Sequence, residues 1–159
     1  MKKIYAAYGS NIHPTVIGNW AEGAKEVGIG IIPNYALCFR EGLATVEPEK
    51  GKQVPIKLYE ITEEDERGLD EYEGVNYGLY SKVMLPIEVK AYDEKYLNMI
   101  MSPPEAMVYV MNAKYKRTPP EREYLKTILY GYINTEKKYK LNLFTYETLI
   151  NAILSNGVS

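Results

Sequence analysis

The sequence predicts a mixed α+β domain built on a small closed or nearly closed sheet flanked by helices. Period-2 and β-branched patterns dominate the first two thirds of the chain. Helical patterns interrupt these segments without a regular strand–helix alternation, and two of them gather at the end. Strands that come first, with helices inserted between them and gathered late, favour this class over a doubly wound parallel sheet.

Seven segments carry strand patterns, and clusters of turn-forming residues separate them. In the cluster Pro48–Lys52, for example, proline, glycine and charged residues interrupt the apolar alternation. None of these clusters has the signature of a domain boundary, so a single domain is expected over residues 1–159. The predicted strands are Lys3–Ala7, Val27–Ile32, Ala36–Arg40, Leu43–Val46, Val54–Ile61, Tyr80–Ala91 and Ala106–Met111.

Three longer segments carry helical patterns. The first follows Thr62, a residue type that caps helix N-termini, and it opens with acidic residues that complement the helix dipole. Gly74 supplies a stop signal, so this helix is predicted from Glu63 to about Glu73. Apolar and aromatic residues at helical spacing predict a second helix over about 119–134 and a third over 145–154, ending near Gly157.

The composition is that of an ordinary soluble protein. The chain has 159 residues, of which 46% are hydrophobic and 25% charged, with a net charge of −2, so nucleic acid is not an expected partner. The single cysteine, Cys38, and the single histidine, His13, cannot form an internal disulfide or the usual zinc shells. The usual nucleotide-binding and serine-hydrolase motifs are missing. We therefore expect no metal and no cofactor.

The two ends of the chain bear on location and assembly. The N-terminal apolar stretch ends at Gly9, which makes it too short for a secretory signal or a transmembrane helix. With one cysteine, this predicts a cytoplasmic protein without a membrane partner. The apolar positions of the last predicted helix, Leu149, Ile150, Ile153 and Leu154, either close the core or meet another subunit, so a monomer or a homodimer is expected.

The segment Tyr8-Gly9-Ser10-Asn11 follows the first strand and precedes a helical turn predicted near His13. Such a loop can direct several free backbone N–H groups at a carboxylate or a phosphate. Gly9 allows a close approach of the backbone, and Ser10 and Asn11 can cap or donate. The alternative is that the same composition forms an ordinary turn between a strand and a helix.

Glu73 is the candidate for proton transfer. It lies in the last turn of its predicted helix, where the partial negative charge of the helix end opposes ionisation. Asp70 and Glu71 are close in sequence and add like charge, and Tyr72 and Tyr77 flank the residue. If the side chain turns inward, its raised pKa lets it take and give protons near neutral pH. The alternative is a solvated acidic helix face.

The order and spacing of these two segments resemble the gamma-glutamylcyclotransferase-like (AIG2-like) family, in its small bacterial branch. The resemblance rests on Tyr8-Gly9-Ser10-Asn11 and on the later run Leu69-Asp70-Glu71-Tyr72-Glu73-Gly74-Val75. It extends over most of the chain. The further matching segments are Gly42–Val46, Val54–Ile61, Tyr80–Val83, Glu105–Asn112 and the helix that carries Tyr124 and Leu125.

The resemblance implies a small barrel-like α+β fold and an enzyme that converts a γ-glutamyl amine or peptide into 5-oxoproline and the free amine. In that family the loop matching residues 8–11 holds the glutamyl group, and the acid matching Glu73 is the general acid/base. By the same comparison, Tyr80 and Tyr124 line the pocket. The implied site thus has Glu73 as the catalytic residue and Tyr8, Gly9, Ser10, Asn11, Tyr80 and Tyr124 as substrate-binding residues.

Two segments depart from the family pattern. Residues 18–23 replace an Arg-Cys-Pro-like stretch, and residues 77–79 differ from the usual spacer, which leaves the substrate amine open. Two other function classes also stay open. A non-catalytic small-molecule binding protein would use the same loop, with Glu73 as the partner of an amine. A structural or interaction protein would use the tyrosines as core and surface residues and would tolerate changes at Ser10 and Glu73.

Overall fold

A six-stranded mixed sheet forms the centre of the protein in the computed structural model, which describes residues 2–100, 104–144 and 146–156. The strands are β1 (Lys3–Ala7), β2 (Lys25–Arg40), β3 (Leu43–Ile61), β4 (Tyr80–Pro86), β5 (Glu88–Tyr92) and β6 (Glu105–Met111). They stand in the order β4-β6-β1-β3-β2-β5. β1 and β6 pair in parallel, and the other neighbouring strands pair antiparallel.

The two edges of the sheet are close in sequence but are not joined. β4 and β5 are the edge strands, and in the described parts of the chain no ladder connects them, so the sheet is not closed. Between them stands Ile87, whose backbone N–H donates to the carbonyl of Pro104 at 3.0 Å. The α+β class is confirmed, whereas the sheet stops short of a closed barrel because each edge strand pairs on one side only.

β2 and β3 form one long hairpin of 16 and 19 residues. The sequence predicts two separate strands in place of each, but the ladder continues across both predicted breaks. Register shifts at Glu26/Gly28 and Pro33/Tyr35 bend the hairpin without ending it. The turn at Glu41-Gly42 has positive φ at both positions, which matches the twist of the strands it joins. The prediction of one strand over Tyr80–Ala91 is likewise wrong, since β4 and β5 pair with different partners.

Five α-helices occur in the described residues: α1 (Pro14–Trp20), α2 (Glu63–Tyr72), α3 (Leu97–Ile100), α4 (Arg122–Tyr139) and α5 (Tyr146–Asn156). α2 starts where the sequence predicts. α4 starts three residues later than predicted and runs on to Lys140, which ends it in the left-handed conformation at φ 56. The predicted limits Thr145 and Gly157 of the last helix lie outside the described residues. In that part of the chain, no helix is both long and apolar enough to span a membrane.

The capping of α2 and its contact with α1 fix the position of α2. The Thr62 hydroxyl accepts from the Asp65 backbone N–H at 3.1 Å, and the Asp65 carboxylate accepts from the Thr62 N–H at 2.9 Å. The same carboxylate accepts from the Gly23 N–H at 2.9 Å, which ties α2 to the segment after α1. A Cβ on Gly68 would lie 1.8 Å from the carbonyl oxygen of Trp20. The two helices therefore touch through backbone, with Glu73 at the far end of α2.

α4 packs directly against the loop that follows β1. That loop contains a 3-10 turn, Ser10–Ile12. A Cβ on Gly131 would lie 2.9 Å from Ile12 Cγ2 and 3.1 Å from the backbone nitrogen of His13. The missing side chain at Gly131 lets the helix approach closely enough to support the loop from outside. The sheet, α2 and α4 thus converge on one place, the end of β1.

Candidate active site

A cavity of about 140 Å³ lies where the end of β1, the start of β3, the end of α2 and the first turn of α4 meet. All seven residues that the sequence predicts for a site line this cavity. The complete lining is Tyr5, Tyr8, Gly9, Ser10, Asn11, Leu43, Ala44, Tyr72, Glu73, Leu79, Tyr80, Tyr109 and Tyr124.

Six of the lining residues are tyrosines, and sequence reasoning missed three of them. Tyr5 and Tyr109 lie in the neighbouring strands β1 and β6, with their rings edge to face at a centroid distance of 5.7 Å. Tyr72 lies in the last turn of α2. The excess of tyrosine over phenylalanine was the available signal, because a buried phenol needs a polar partner. Tyr77, predicted to flank Glu73, is instead 86% exposed.

The loop after β1 presents backbone donors to the cavity. The N–H groups of Ile12 and His13 close the 3-10 turn by donating to Gly9 and Ser10 carbonyls. Among the described residues, none accepts from the N–H groups of Gly9, Ser10 or Asn11. A Cβ on Gly9 would lie 3.1 Å from the Cβ of Ala44, so the loop fits closely against β3. Three N–H groups left free in one turn are the kind of donors that bind anions in proteins.

Among the described residues that line the cavity, Glu73 alone has a carboxyl group, and no lysine, arginine or histidine accompanies it. Its backbone N–H donates to the Leu69 carbonyl at 2.9 Å, which holds it at the end of α2. Its Oε1 accepts from Asn11 Nδ2 at 3.5 Å, a long hydrogen bond. Burial of the carboxyl raises the pKa of Glu73 to about 8. At neutral pH this group therefore exchanges protons easily.

The cause of the raised pKa is not the one that the sequence suggests. Asp70, expected to act by like charge, is engaged elsewhere. Its Oδ2 accepts from Lys82 Nζ at 2.9 Å, and its Oδ1 accepts from the Tyr109 hydroxyl at 2.7 Å. Glu71 is exposed. Burial, rather than these neighbours, dominates the pKa of Glu73.

Asn11 connects the loop after β1 to the carboxyl group of Glu73. It is 3% exposed, and its Nδ2 donates to the Tyr5 hydroxyl at 3.0 Å as well as to Glu73. Its backbone carbonyl accepts from the Tyr59 hydroxyl at 3.2 Å. Its Oδ1 is buried and has no hydrogen-bond partner in the described residues. An unpaired buried acceptor beside a cavity favours a ligand that brings a donor.

Two cavity tyrosines hold the backbone of Ala44, one at its carbonyl and one at its N–H. Tyr80 donates its hydroxyl proton to the Ala44 carbonyl at 2.6 Å, and Tyr124 accepts from the Ala44 N–H at 3.0 Å. Tyr8 donates to the backbone carbonyl of Tyr109 at 2.5 Å. Because these bonds join β3, β4, β6 and α4, they fix the rings that form the walls.

A buried ion pair supports the loop from behind. The ammonium group of Lys57 lies 2.6 Å from Glu26 Oε1 and donates to the Ile12 carbonyl at 3.3 Å. Since Glu26 balances this charge, Lys57 acts on the loop mainly through the Ile12 carbonyl. In the described residues no three His, Cys, Asp or Glu side chains cluster as metal ligands.

The site thus combines three chemical capacities: free N–H groups for an anion, one carboxyl group that transfers protons near neutral pH, and phenols that hydrogen-bond polar atoms. These suit a small zwitterion with a carboxylate at one end and an ammonium group near Glu73. The site residues come from separate segments of the chain, so their convergence depends on the fold.

Comparison with known proteins gives a family match. The family model described as "Gamma-glutamyl cyclotransferase, AIG2-like" matches residues 5–131, a span that contains every residue lining the cavity. No curated protein matches the chain.

Solved structures show the same fold. One named "Gamma-glutamyl cyclotransferase" is 20% identical with a TM-score of 0.74, covering 85% of this chain and 80% of that one. An uncharacterized protein from Homo sapiens is 24% identical with a TM-score of 0.72, covering 96% and 88%. A yeast gamma-glutamyl cyclotransferase specific to glutathione is 12% identical with a TM-score of 0.58, covering 98% and 95%.

Proposed function

The chain belongs to the gamma-glutamyl cyclotransferase, AIG2-like family, and on that premise we propose that it cyclises the glutamyl group of a γ-glutamyl amine or peptide. The products are 5-oxoproline and the free amine. The observation that carries the proposal is the pairing of Glu73, the one carboxyl group among the described lining residues, with the free N–H groups of the loop after β1.

Substrate binding follows from the charges of the lining. None of the described lining residues is a lysine or an arginine, so the α-carboxylate of the substrate binds to the backbone N–H groups of residues 9–11. The α-ammonium group then lies toward Glu73 and supplies a donor to the unpaired Oδ1 of Asn11. Both polar substituents of the α-carbon are held, which positions the α-nitrogen for attack on the γ-carbonyl carbon.

The reaction needs no protein nucleophile, because the substrate carries its own. Glu73 accepts a proton from the α-ammonium group, and the freed α-nitrogen forms a bond to the γ-carbonyl carbon, closing a five-membered ring. The γ-carbonyl oxygen takes the displaced electron pair and returns it when the bond to the leaving nitrogen breaks. Glu73 gives its proton to that nitrogen as the bond breaks and takes the second proton from the ring nitrogen, leaving a neutral lactam. It passes this proton to the free amine, which departs as an ammonium ion, and the carboxylate is restored.

The pKa of Glu73 suits this double role. A general acid/base works best when its pKa lies near the working pH, and the pKa of about 8 meets that condition. A bound ammonium group opposes protonation of the carboxyl, so substrate binding favours the ionised form that starts the reaction. The 5-oxoproline formed has no ammonium group, so it loses that attraction to Glu73, which favours its release.

Product analysis over a panel of γ-glutamyl amines and γ-glutamyl dipeptides tests the proposal. We expect at least one substrate to give 5-oxoproline and free amine in equal amounts, with no glutamate, because the α-amine rather than water attacks. Mass spectrometry of both products checks this. Glutamate as the product would mean hydrolysis instead. Thermal stabilisation by these compounds without any turnover would favour a non-catalytic binding protein.

A further inference from the structure

Attack of the α-nitrogen places negative charge on the γ-carbonyl oxygen. The electron pair of the C=O π bond moves to that oxygen as the N–C bond forms, and it moves back as the leaving nitrogen departs. A preorganised donor aimed at this oxyanion accelerates both steps. A cavity tyrosine can donate to the oxyanion only if its hydroxyl proton is not already donated to another acceptor. This inference rests on the proposed function.

Three of the six cavity tyrosines already donate their hydroxyl proton to another acceptor. Tyr8 donates to the Tyr109 carbonyl, Tyr80 donates to the Ala44 carbonyl, and Tyr109 donates to the Asp70 carboxylate. A phenol has a single O–H, and a carbonyl or carboxylate oxygen only accepts. These three hydroxyls would have to break a short hydrogen bond before they could serve the oxyanion.

Two of the remaining phenols are poorly placed. Tyr72 is hydrogen-bonded to the Ser10 hydroxyl at 2.8 Å, and its ring packs at an angle of 39° against Trp20, which is exposed. Tyr5 accepts from Asn11 Nδ2, and the same amide group donates to Glu73. Tyr5 and Glu73 thus share one donor, which puts the Tyr5 hydroxyl at the ammonium end of the proposed substrate rather than at its γ-carbonyl oxygen.

Tyr124 is the phenol that is held in place and does not donate its proton to a carbonyl or a carboxylate. Its oxygen accepts from the Ala44 N–H at 3.0 Å, so the hydroxyl is fixed in place through its acceptor side. No carbonyl or carboxylate of the described residues takes its own proton, and the Ser10 hydroxyl also hydrogen-bonds the Tyr124 oxygen. The hydroxyl lies 3.7 Å from the position of a Cβ on Gly9, at the loop that holds the substrate.

We propose that Tyr124 is a catalytic residue whose hydroxyl donates to the oxyanion that forms on the γ-carbonyl oxygen. The hydrogen bond from the Ala44 N–H polarises the Tyr124 O–H and makes it a better donor at the moment when charge develops. The same contact holds the donor still, so little reorganisation is needed during the reaction.

The variant Tyr124→Phe tests the role, with Tyr132→Phe as the matched control. Tyr132 lies on the same helix and is buried, and its hydroxyl has no partner in the described residues. We expect Tyr124→Phe to lower kcat by about 10²–10³-fold with a small change in KM, as for loss of one oxyanion donor. Tyr132→Phe should keep both constants. An unchanged kcat for Tyr124→Phe in an active enzyme would overturn the proposal.

Because Tyr124→Phe also leaves the Ala44 N–H without its acceptor, a second readout separates catalysis from structure. Each variant is assayed with a γ-glutamyl amine and with its analogue in which sulfur replaces the γ-carbonyl oxygen. A direct donor makes the oxygen-to-sulfur rate ratio larger in the native enzyme than in Tyr124→Phe. An equal ratio in both, or a reduced ratio only in Tyr5→Phe, would overturn the assignment. If the native enzyme releases no 5-oxoproline, the proposed function itself has failed.

Discussion

Replacement of Glu73 by glutamine is expected to lower kcat for 5-oxoproline release by at least about 10³-fold. Glutamine keeps the size of the side chain and still accepts from Asn11 Nδ2. It cannot take the proton of the α-ammonium group or return one to the leaving nitrogen, so both proton transfers lose their carrier. Steady-state kinetics with the best substrate of the panel measure the effect.

Glu71→Gln is the matched control for this variant. Glu71 lies two residues earlier in the same helix and is exposed, so the substitution makes the same carboxyl-to-amide change without touching the cavity. We expect kcat and KM to stay close to those of the native enzyme. Equal loss of activity in both variants would mean that helix charge, rather than proton transfer at Glu73, limits the reaction.

The Glu73→Gln variant is also expected to be more stable than the native protein above neutral pH, which shows that it folds. The pKa of Glu73 rises from its ordinary value of 4.5 to about 8 on folding. Between these values the unfolded chain has released a proton that the folded protein keeps, so native stability falls as pH rises through this window and then levels off. Urea unfolding at pH 4 and pH 9 should show the variant gaining stability only at the higher pH.

Gly68→Ala is expected to destabilise the protein by at least about 2 kcal/mol, even though alanine favours helices. The new Cβ would lie 1.8 Å from the carbonyl oxygen of Trp20, and backbone atoms cannot rotate away. α2 must move from α1, and Glu73 at its end moves with it. Urea unfolding measures the stability, and the activity assay measures the displacement of the carboxyl.

Gly18→Ala is the control for the backbone contact. Gly18 lies in α1, and a Cβ there would meet nothing within 4 Å. This variant should be neutral or slightly more stable, because alanine is the better helix former. Equal effects of the two substitutions would show that helix propensity, and not the contact between the helices, decides the stability at Gly68.

The parts of the fold that local signals determine could be predicted from the sequence. β1 has its predicted bounds, and α2 begins after Thr62 because the capping pair with Asp65 is encoded within four residues. The loop after β1 and Glu73 could be selected because glycine, small polar residues and a helix end have recognisable local chemistry.

Features that depend on long-range pairing could not be predicted. The breaks predicted within β2 and β3 are bulges and bends in a continuous ladder, since the partner strand decides whether a strand continues. The places of Tyr5 and Tyr109 at the cavity depend on the order of the strands, which alternation alone does not contain. Asp70 appeared to be a neighbour of Glu73, but Lys82 and Tyr109 take its carboxylate.

The dependence of kcat/KM on pH tests the central claim most directly, because it reports the ionisation of the essential group in the free enzyme. If the ionised carboxylate of Glu73 starts the reaction, kcat/KM should rise with pH along an acidic limb centred near pH 8, the pKa that burial gives this group. A profile that is flat through pH 8, or whose acidic limb lies near the ordinary glutamate value, would contradict the account.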